Sequence, residues 1–209
     1  MIERGPAREC DMVAAFLQAE ISSSRYSEYI LPNLERNRLS RADLIDSPNL
    51  ENEFHNRIRR ALLQYRGYET KIALFKDFPA DVAWRFVEIE PQDHYLFACI
   101  NDQDDKSEVR WIDLSEGTRS VERIAGSIVR LEQAGSTKER ETAERIRSIQ
   151  RDLNSDKVMP PLIAVEAENG RLILVEGHSR AVAYVDLKWR QNISIVLGRS
   201  VAMKSWRYY

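Results

Sequence analysis

The chain has 209 residues, which is enough for one folded domain, or one domain with a smaller addition, without the help of disulfides. Hydrophobic residues make up 43% and charged residues 31% of the chain, and this composition excludes a wholly disordered protein. The 31 basic and 33 acidic residues give a net charge of −2. Any binding to DNA would therefore depend on a local basic patch.

The cysteines and the first residues indicate a reducing compartment. Cys10 and Cys99 lie far apart with no C-x-x-C pair, so we expect neither a disulfide nor a structural metal. Residues 1–11 carry charges where a secretory signal would have its apolar core. Apolar runs such as residues 13–17 are far shorter than the about 18 residues of a membrane span. We expect a soluble cytoplasmic protein with no membrane partner.

The first third of the chain predicts helices. Apolar residues at helical spacing indicate a helix over residues 11–21 and a weaker one over residues 26–34. A third helix is expected to start at Asp46-Ser47-Pro48 and to end at Gly67. Its basic residues are expected to form a solvated face, although such a run can also contact phosphates; they are Arg57, Arg59 and Arg60.

After Pro79 the pattern changes to short strands and helices. The expected strands cover residues 84–89, 109–114, 162–165, 172–175 and 193–197, with a further apolar segment over residues 95–100. Asn169-Gly170 predicts a hairpin turn, and the acidic segment 101–105 predicts an exposed loop. Helices are expected over residues 121–129, over a charged segment between residues 137 and 159, and over residues 179–188. The aromatic tail around Trp206 is expected to pack against the N-terminal helices.

The clearest chemical content lies in the turn Glu176-Gly177-His178-Ser179-Arg180, between a buried strand and a helix of small residues. Free N–H groups at the start of a helix, together with its dipole, form a seat for phosphate. Ser179 would add a hydroxyl donor, Arg180 could hold two phosphate oxygens, and His178 could act as an acid or base. The same turn could be a structural corner in which Arg180 pairs with Glu176.

Two further pieces of sequence accompany this turn: the strand that follows Pro160-Pro161, and the Asn169-Gly170 hairpin. Together with the small residues Ala181 and Ala183, they resemble the core of the ParB/sulfiredoxin superfamily, and the turn is most similar to that of its free serine kinase branch. The chain as a whole also resembles bacterial proteins in residues 111–119 and 174–184. The resemblance implies an α+β fold: a core of residues 79–209, with a small mixed sheet flanked by helices, and an N-terminal helical annex of residues 1–78.

In that superfamily the matching turn holds nucleotide phosphates, usually with magnesium. The resemblance thus implies that the turn binds ATP, ADP or CTP with Mg²⁺ in a magnesium-dependent phosphotransferase, such as a kinase, or in a nucleotide hydrolase, such as an ATPase. A DNA-associated protein or nuclease, and a binding module switched by nucleotide, are the alternatives. Sulfiredoxin itself is excluded because His178 stands at the position of its cysteine.

A second polar cluster follows the strand expected over residues 109–114, and consists of Asp113, Glu116, Thr118 and Arg119. Its carboxylates could hold Mg²⁺ or accept a proton from a small-molecule acceptor, and Arg119 could neutralise a transferred phosphoryl group. A helix cap with ordinary surface charges is the alternative. The candidate catalytic residues are therefore Glu176, His178, Asp113 and Glu116, and the candidate nucleotide-binding residues are Gly177, His178, Ser179, Arg180, Thr118 and Arg119.

Overall fold

The computed structural model describes residues 1–21, 23–104 and 109–209. The fold is α+β, with one six-stranded mixed sheet and helices on both of its faces. The strands are β1 (Ile2–Ala7), β2 (Ala83–Ile89), β3 (Phe97–Ala98), β4 (Leu162–Glu166), β5 (Leu172–Glu176) and β6 (Ile193–Arg199). Their order in the sheet is β1-β2-β6-β4-β5-β3. The pairs β4–β6 and β3–β5 are parallel, and the others are antiparallel.

The α-helices are α1 (Glu9–Glu20), α2 (Ser24–Arg36), α3 (Glu53–Leu62), α4 (Trp111–Leu114), α5 (Val121–Ala125), α6 (Ile128–Glu132), α7 (Thr137–Asn154) and α8 (His178–Asp186). A π-helical turn covers Ala42–Asp46, and 3₁₀ turns cover Leu63–Arg66, Ala73–Phe75, Pro91–Leu96 and Met203–Ser205. In the part of the chain that the structure describes, no helix combines the length and the apolar character needed to cross a membrane.

The central strands are covered on both faces, which explains their nearly continuous apolar sequences. In β4, Ile163 and Val165 belong to the same hydrophobic cluster as α1, whereas Leu162 and Ala164 pack with α5 to α8 on the opposite face. The two-residue period of a strand divides β5 in the same way. The predicted hairpin is confirmed, since Ala167 donates its N–H to the carbonyl of Arg171 across the Asn169-Gly170 turn.

The predicted annex of residues 1–78 is not purely helical. Its first residues form β1, an edge strand that pairs with β2 from Ile2 opposite Glu88 to Ala7 opposite Trp84. The sequence pattern does not predict this strand, because charged residues, a glycine and a proline interrupt it. Helix α1 contacts β4 and β6, and its buried Phe16 lies in one cluster with Val165 and Trp206. Residues on both sides of the expected boundary at 78/79 thus share one hydrophobic core.

The strand predicted over residues 109–114 is wrong, because the structure has the short helix α4 there. The carboxylate of Asp102 accepts the N–H of Trp111 at 2.7 Å and that of Ile112 at 2.9 Å. Asp102 is only 4% exposed, so the prediction of an exposed acidic loop is also wrong at this residue. Asp105, at the end of that predicted loop, lies outside the described residues.

The predicted start of the third helix and the predicted packing of the aromatic tail have different outcomes. Helix α3 begins after Asn52, whose side chain accepts the N–H of His55 at 3.1 Å, so the predicted start at residues 46–48 is wrong. The aromatic tail is packed as expected: Trp206 is 2% exposed. Its indole N–H donates to the carbonyl of Leu74 at 2.8 Å, and its ring meets Phe78 edge-on.

Candidate functional site

The turn between β5 and α8 has a geometry that only glycine fits. Gly177 has φ of 102°, in the left-handed region. A Cβ atom there would lie 2.5 Å from Cδ2 of Leu162 and 3.0 Å from the guanidinium of Arg180. The carbonyl of Gly177 accepts the N–H of Ala181 at 2.8 Å. This bond belongs to the first turn of the helix, and the N–H groups of residues 178–180 come before it in the chain. They form the positive end of α8, as the sequence predicts for an anion seat.

His178 is covered by an aromatic ring rather than open to solvent. It is 7% exposed and stacks on Trp111, and its Nε2 accepts the N–H of Ile100 at 3.4 Å. Burial, with a smaller effect from the charges of nearby arginines, lowers the pKa of His178 to about 3. The imidazole is thus uncharged at neutral pH, which does not suit the predicted role as an acid or base.

Arg180 points into the protein. It is 6% exposed and donates to the carbonyl of Pro160, to that of Pro161 at 3.2 Å, and to Oε1 of Glu176 at 3.5 Å. These contacts join the start of α8 to the segment that enters β4. The structure therefore gives Arg180 a structural role in place of the predicted phosphate clamp, and it is the structural alternative for this turn that the contacts favour.

The cation on the outer side of the turn is Arg145 of α7. Its Nε donates to Oγ of Ser179 at 3.0 Å, and α7 packs along α8. Because a hydroxyl that accepts one hydrogen bond keeps its own proton, Ser179 can still donate to a ligand oxygen. Arg145 is not predicted from the sequence, since it lies in a helix with several basic residues and the charge pattern does not show which of them faces another helix.

The second polar cluster is not joined to the turn. Asp113 accepts two hydrogen bonds from Arg110, at 2.7 and 2.9 Å. Glu116 accepts from Arg123 at 2.9 Å, and this hydrogen bond, with the charge of Arg123, lowers the pKa of Glu116. Thr118 donates to the carbonyl of Ser115 at 2.7 Å. Among the described contacts, none connects these three predicted site residues to residues 176–180, and their bonds fit the alternative of a surface cap.

Arg119 differs from its neighbours in that its side chain turns inward. Its Nε donates to the carbonyl of Cys99 at 2.8 Å, next to Ile100, whose N–H reaches His178. It also lines a cleft together with Arg171, away from the start of α8. The two clefts described in this structure are lined by other residues than 177–180.

The carboxylates near the turn limit how magnesium could be held. Within residues 1–21, 23–104 and 109–209, no group of three or more His, Cys, Asp or Glu side chains converges, and both cysteines are free thiols. Mg²⁺ bound to nucleotide phosphates commonly takes only one or two protein carboxylates, with water completing its shell. Glu176, at the end of β5, is a carboxylate at the turn that fits this requirement.

No protein-family model, curated protein or solved structure matches this chain.

Proposed function

We propose that the protein binds a nucleoside di- or triphosphate whose phosphates lie at the start of α8, beside Ser179 and Arg145. The observation that carries this proposal is the contact between the Arg145 guanidinium and the Ser179 hydroxyl at the positive end of the helix. Backbone N–H groups, a hydroxyl and a guanidinium are the donors that phosphate sites use. The resemblance of the turn to nucleotide-binding sequences points to a nucleotide rather than to a simple anion.

The electrostatics around the turn favour a polyanion. Arg145, Arg66 and Arg119 all lie near enough to His178 to lower its pKa. Arg66 is paired with the buried carboxylate of Glu20 at 3.1 Å. A phosphate beside Ser179 would be stabilised by Arg145 and by the helix dipole together.

The activity that we propose with this site is transfer or hydrolysis of the terminal phosphate. Mg²⁺ held between the nucleotide and Glu176 would neutralise phosphate charge in such a reaction. Glu176 would have to exchange its 3.5 Å contact with Arg180 for the metal, and Arg180 would keep its two proline carbonyls. The acceptor would be water or a small molecule that approaches from the solvent side of Ser179.

The test is a thermal-denaturation series with ATP, ADP, CTP and GTP, each with and without Mg²⁺. A nucleotide at 100 times its dissociation constant should stabilise the protein by about 2.7 kcal/mol. Arg145→Gln should weaken nucleotide affinity by about tenfold or more, since it removes a charge-assisted bond. Arg151→Gln is the matched control, because Arg151 is exposed on the same helix but lies about 120° around it from Arg145.

Stabilisation of the wild type and of Arg151→Gln, with a weaker effect in Arg145→Gln, supports the proposed site. Equal affinities in the three proteins, or no response to any nucleotide, contradict it. Phosphate release measured on the same samples then separates an enzyme from a binding module. Turnover that depends on Mg²⁺ and falls in Glu176→Gln supports the proposed activity, and nucleotide binding without turnover contradicts that part alone.

A further inference from the structure

A second polar cleft lies at the opposite end of β5 from the α8 turn. It has a volume of about 230 Å³, and its floor is apolar, with Ala98 of β3, Ala167 and Ile173. The polar residues around it are Arg119, Glu168, Asn169, Arg171 and Tyr209. This volume is below the about 300–1,000 Å³ of sites for drug-sized ligands, so an occupant would be a small molecule.

Two guanidinium groups share this cleft, and within the described part of the chain neither has a carboxylate partner. Arg119 donates to the carbonyls of Cys99 at 2.8 Å and Tyr208 at 3.4 Å. Arg171 donates to two more backbone carbonyls, at 3.4 Å each. Among the described residues, no carboxylate oxygen lies within 4.0 Å of either guanidinium, whereas Glu168 at the rim pairs with Lys204 at 2.7 Å.

This arrangement leaves two positive charges close together. Burial lowers the pKa of Arg119, and the charge of Arg171 lowers it further. Two other arginines, Arg123 and Arg199, are each neutralised by a carboxylate, Arg123 by Glu116 and Arg199 by Glu166. Backbone carbonyls orient Arg119 and Arg171, but they do not cancel the two positive charges. An anion bound in the cleft would cancel them.

Two neutral donors face the same space. The amide oxygen of Asn169 accepts the N–H of Arg171 at 3.1 Å, so its NH₂ group is oriented by that bond and keeps its own protons to donate. The Tyr209 hydroxyl accepts the N–H of Glu168 at 2.8 Å and likewise keeps its proton. The cleft thus combines two cations, two further donors and an apolar floor.

We propose that this cleft is a binding site for a small molecule with an oxyanion group, a phosphate or a carboxylate, held between Arg119 and Arg171. The cleft is separate from the α8 turn, because its residues come from β3, the β4–β5 hairpin, the segment before α5 and the C-terminal tail. Phosphate and carboxylate each present two oxygens to which one guanidinium can donate two parallel hydrogen bonds.

The test uses inorganic phosphate and acetate as probes, titrated at constant ionic strength with chloride as the balancing anion. Backbone amide resonances of Ala98, Asn169 and Arg171 report on the cleft, and those of residues 178–180 report on the turn of α8. We expect at least one probe to shift the cleft resonances in a saturable manner. Arg171→Gln should weaken that binding about tenfold or more, and Arg171→Lys should recover part of it.

Arg171→Gln is expected to fold, because the hydrogen bonds of the Arg171 side chain to described residues are long, at 3.4 Å, and the melting temperature of the variant checks this. Arg145→Gln and Arg151→Gln should leave the cleft response unchanged, so loss of the nucleotide site and loss of the cleft site are separate results. Absence of a saturable cleft response to both probes, or an equal response in Arg171→Gln, overturns the proposal. Retention in Arg171→Lys without retention in Arg171→Gln supports it.

Discussion

The indole of Trp111 lies nearly parallel to the imidazole of His178, with ring centroids 4.8 Å apart and an angle of 18° between the planes. Trp111 is held in this position by its place in α4, where its backbone N–H donates to the buried carboxylate of Asp102. The stack keeps water from His178 and leaves its Nε2 as an acceptor for the N–H of Ile100. A residue that the sequence presented as an acid or base is thus a neutral part of the packing.

This burial predicts a dependence of stability on pH. The pKa of His178 is about 3 in the folded protein and about 6.5 in the unfolded chain. Below pH 6.5 the unfolded chain therefore binds a proton that the folded protein does not, and the free energy of unfolding falls as the pH falls towards 3. From pH 8 to pH 5, this one group should cost about 2 kcal/mol.

Urea unfolding of the wild type and of His178→Gln at several pH values between 5 and 8 measures the effect. The variant should be less stable at pH 8, because the stack is lost, but its stability should fall less as the pH is lowered. His94→Gln is the matched control, since burial lowers the pKa of His94 as well and its share of the slope can be subtracted. A His178→Gln protein with the full wild-type slope would contradict the assignment.

We expect Arg180 to contribute mainly to the stability of the fold and less to ligand affinity. Arg180→Ala removes the donor for the carbonyls of Pro160 and Pro161, which lie in half-buried residues, and leaves them without that partner. We expect the free energy of unfolding to fall by about 2–4 kcal/mol. Arg180→Lys should recover only part of this loss, because a lysine ammonium lacks the planar guanidinium that reaches both carbonyls and Glu176 at once. A fully stable Arg180→Ala protein that has lost only nucleotide affinity would restore the phosphate clamp.

Two glycines with left-handed backbones provide a matched pair. At Gly170, where φ is 78°, an added Cβ would meet no atom within 4 Å, whereas at Gly177 it would overlap the side chain of Leu162. Gly170→Ala should cost only the strain of the backbone, about 1–2 kcal/mol. Gly177→Ala should cost about 1–3 kcal/mol more, since Leu162 or the helix must also move. Denaturant unfolding of the two variants checks this difference, and equal losses would show that the close approach at Gly177 is unimportant.

Much of the fold follows from local sequence, and the exceptions have physical causes. The β4–β5 hairpin and β6 are predicted because Asn169-Gly170 fixes a turn and the strands are buried on both faces. Strand β1 is missed because an edge strand is stabilised by its pairing with β2 and needs no apolar pattern of its own. Helix α4 is misread because its start depends on the Asp102 carboxylate, nine residues earlier in the chain.

The candidate site is predictable only in its backbone. The order strand, Gly177, helix predicts the positive end of α8, and the structure has it there. The roles of the side chains depend on which helix and loop lie beside the turn, which local sequence does not contain. Arg180 donates its hydrogen bonds to two proline carbonyls, and His178 is covered by Trp111. The cation beside the turn is Arg145, from another helix.

The basic residues of α3 show the same limit of local sequence. The sequence predicts a solvated face for Arg57, Arg59 and Arg60, but Arg59 is completely buried. Its guanidinium donates to the carbonyl of Leu44 at 3.2 Å, to that of Asn49 at 3.0 Å and to the side chain of Asn56. These bonds tie α3 to the segment that leads into it.

Arg59→Met should therefore lower the free energy of unfolding by about 2–4 kcal/mol, because it leaves the buried carbonyl of Leu44 and the buried side chain of Asn56 without their donor. Arg57→Met is the control on the same helix: Arg57 is exposed and contacts only the ring of Phe54 at 5.6 Å among the described interactions, so its loss should cost less than about 1 kcal/mol. Urea unfolding of both variants at pH 7 makes the comparison. Equal stabilities would mean that Arg59 lies on the solvated face after all, as the sequence alone predicts.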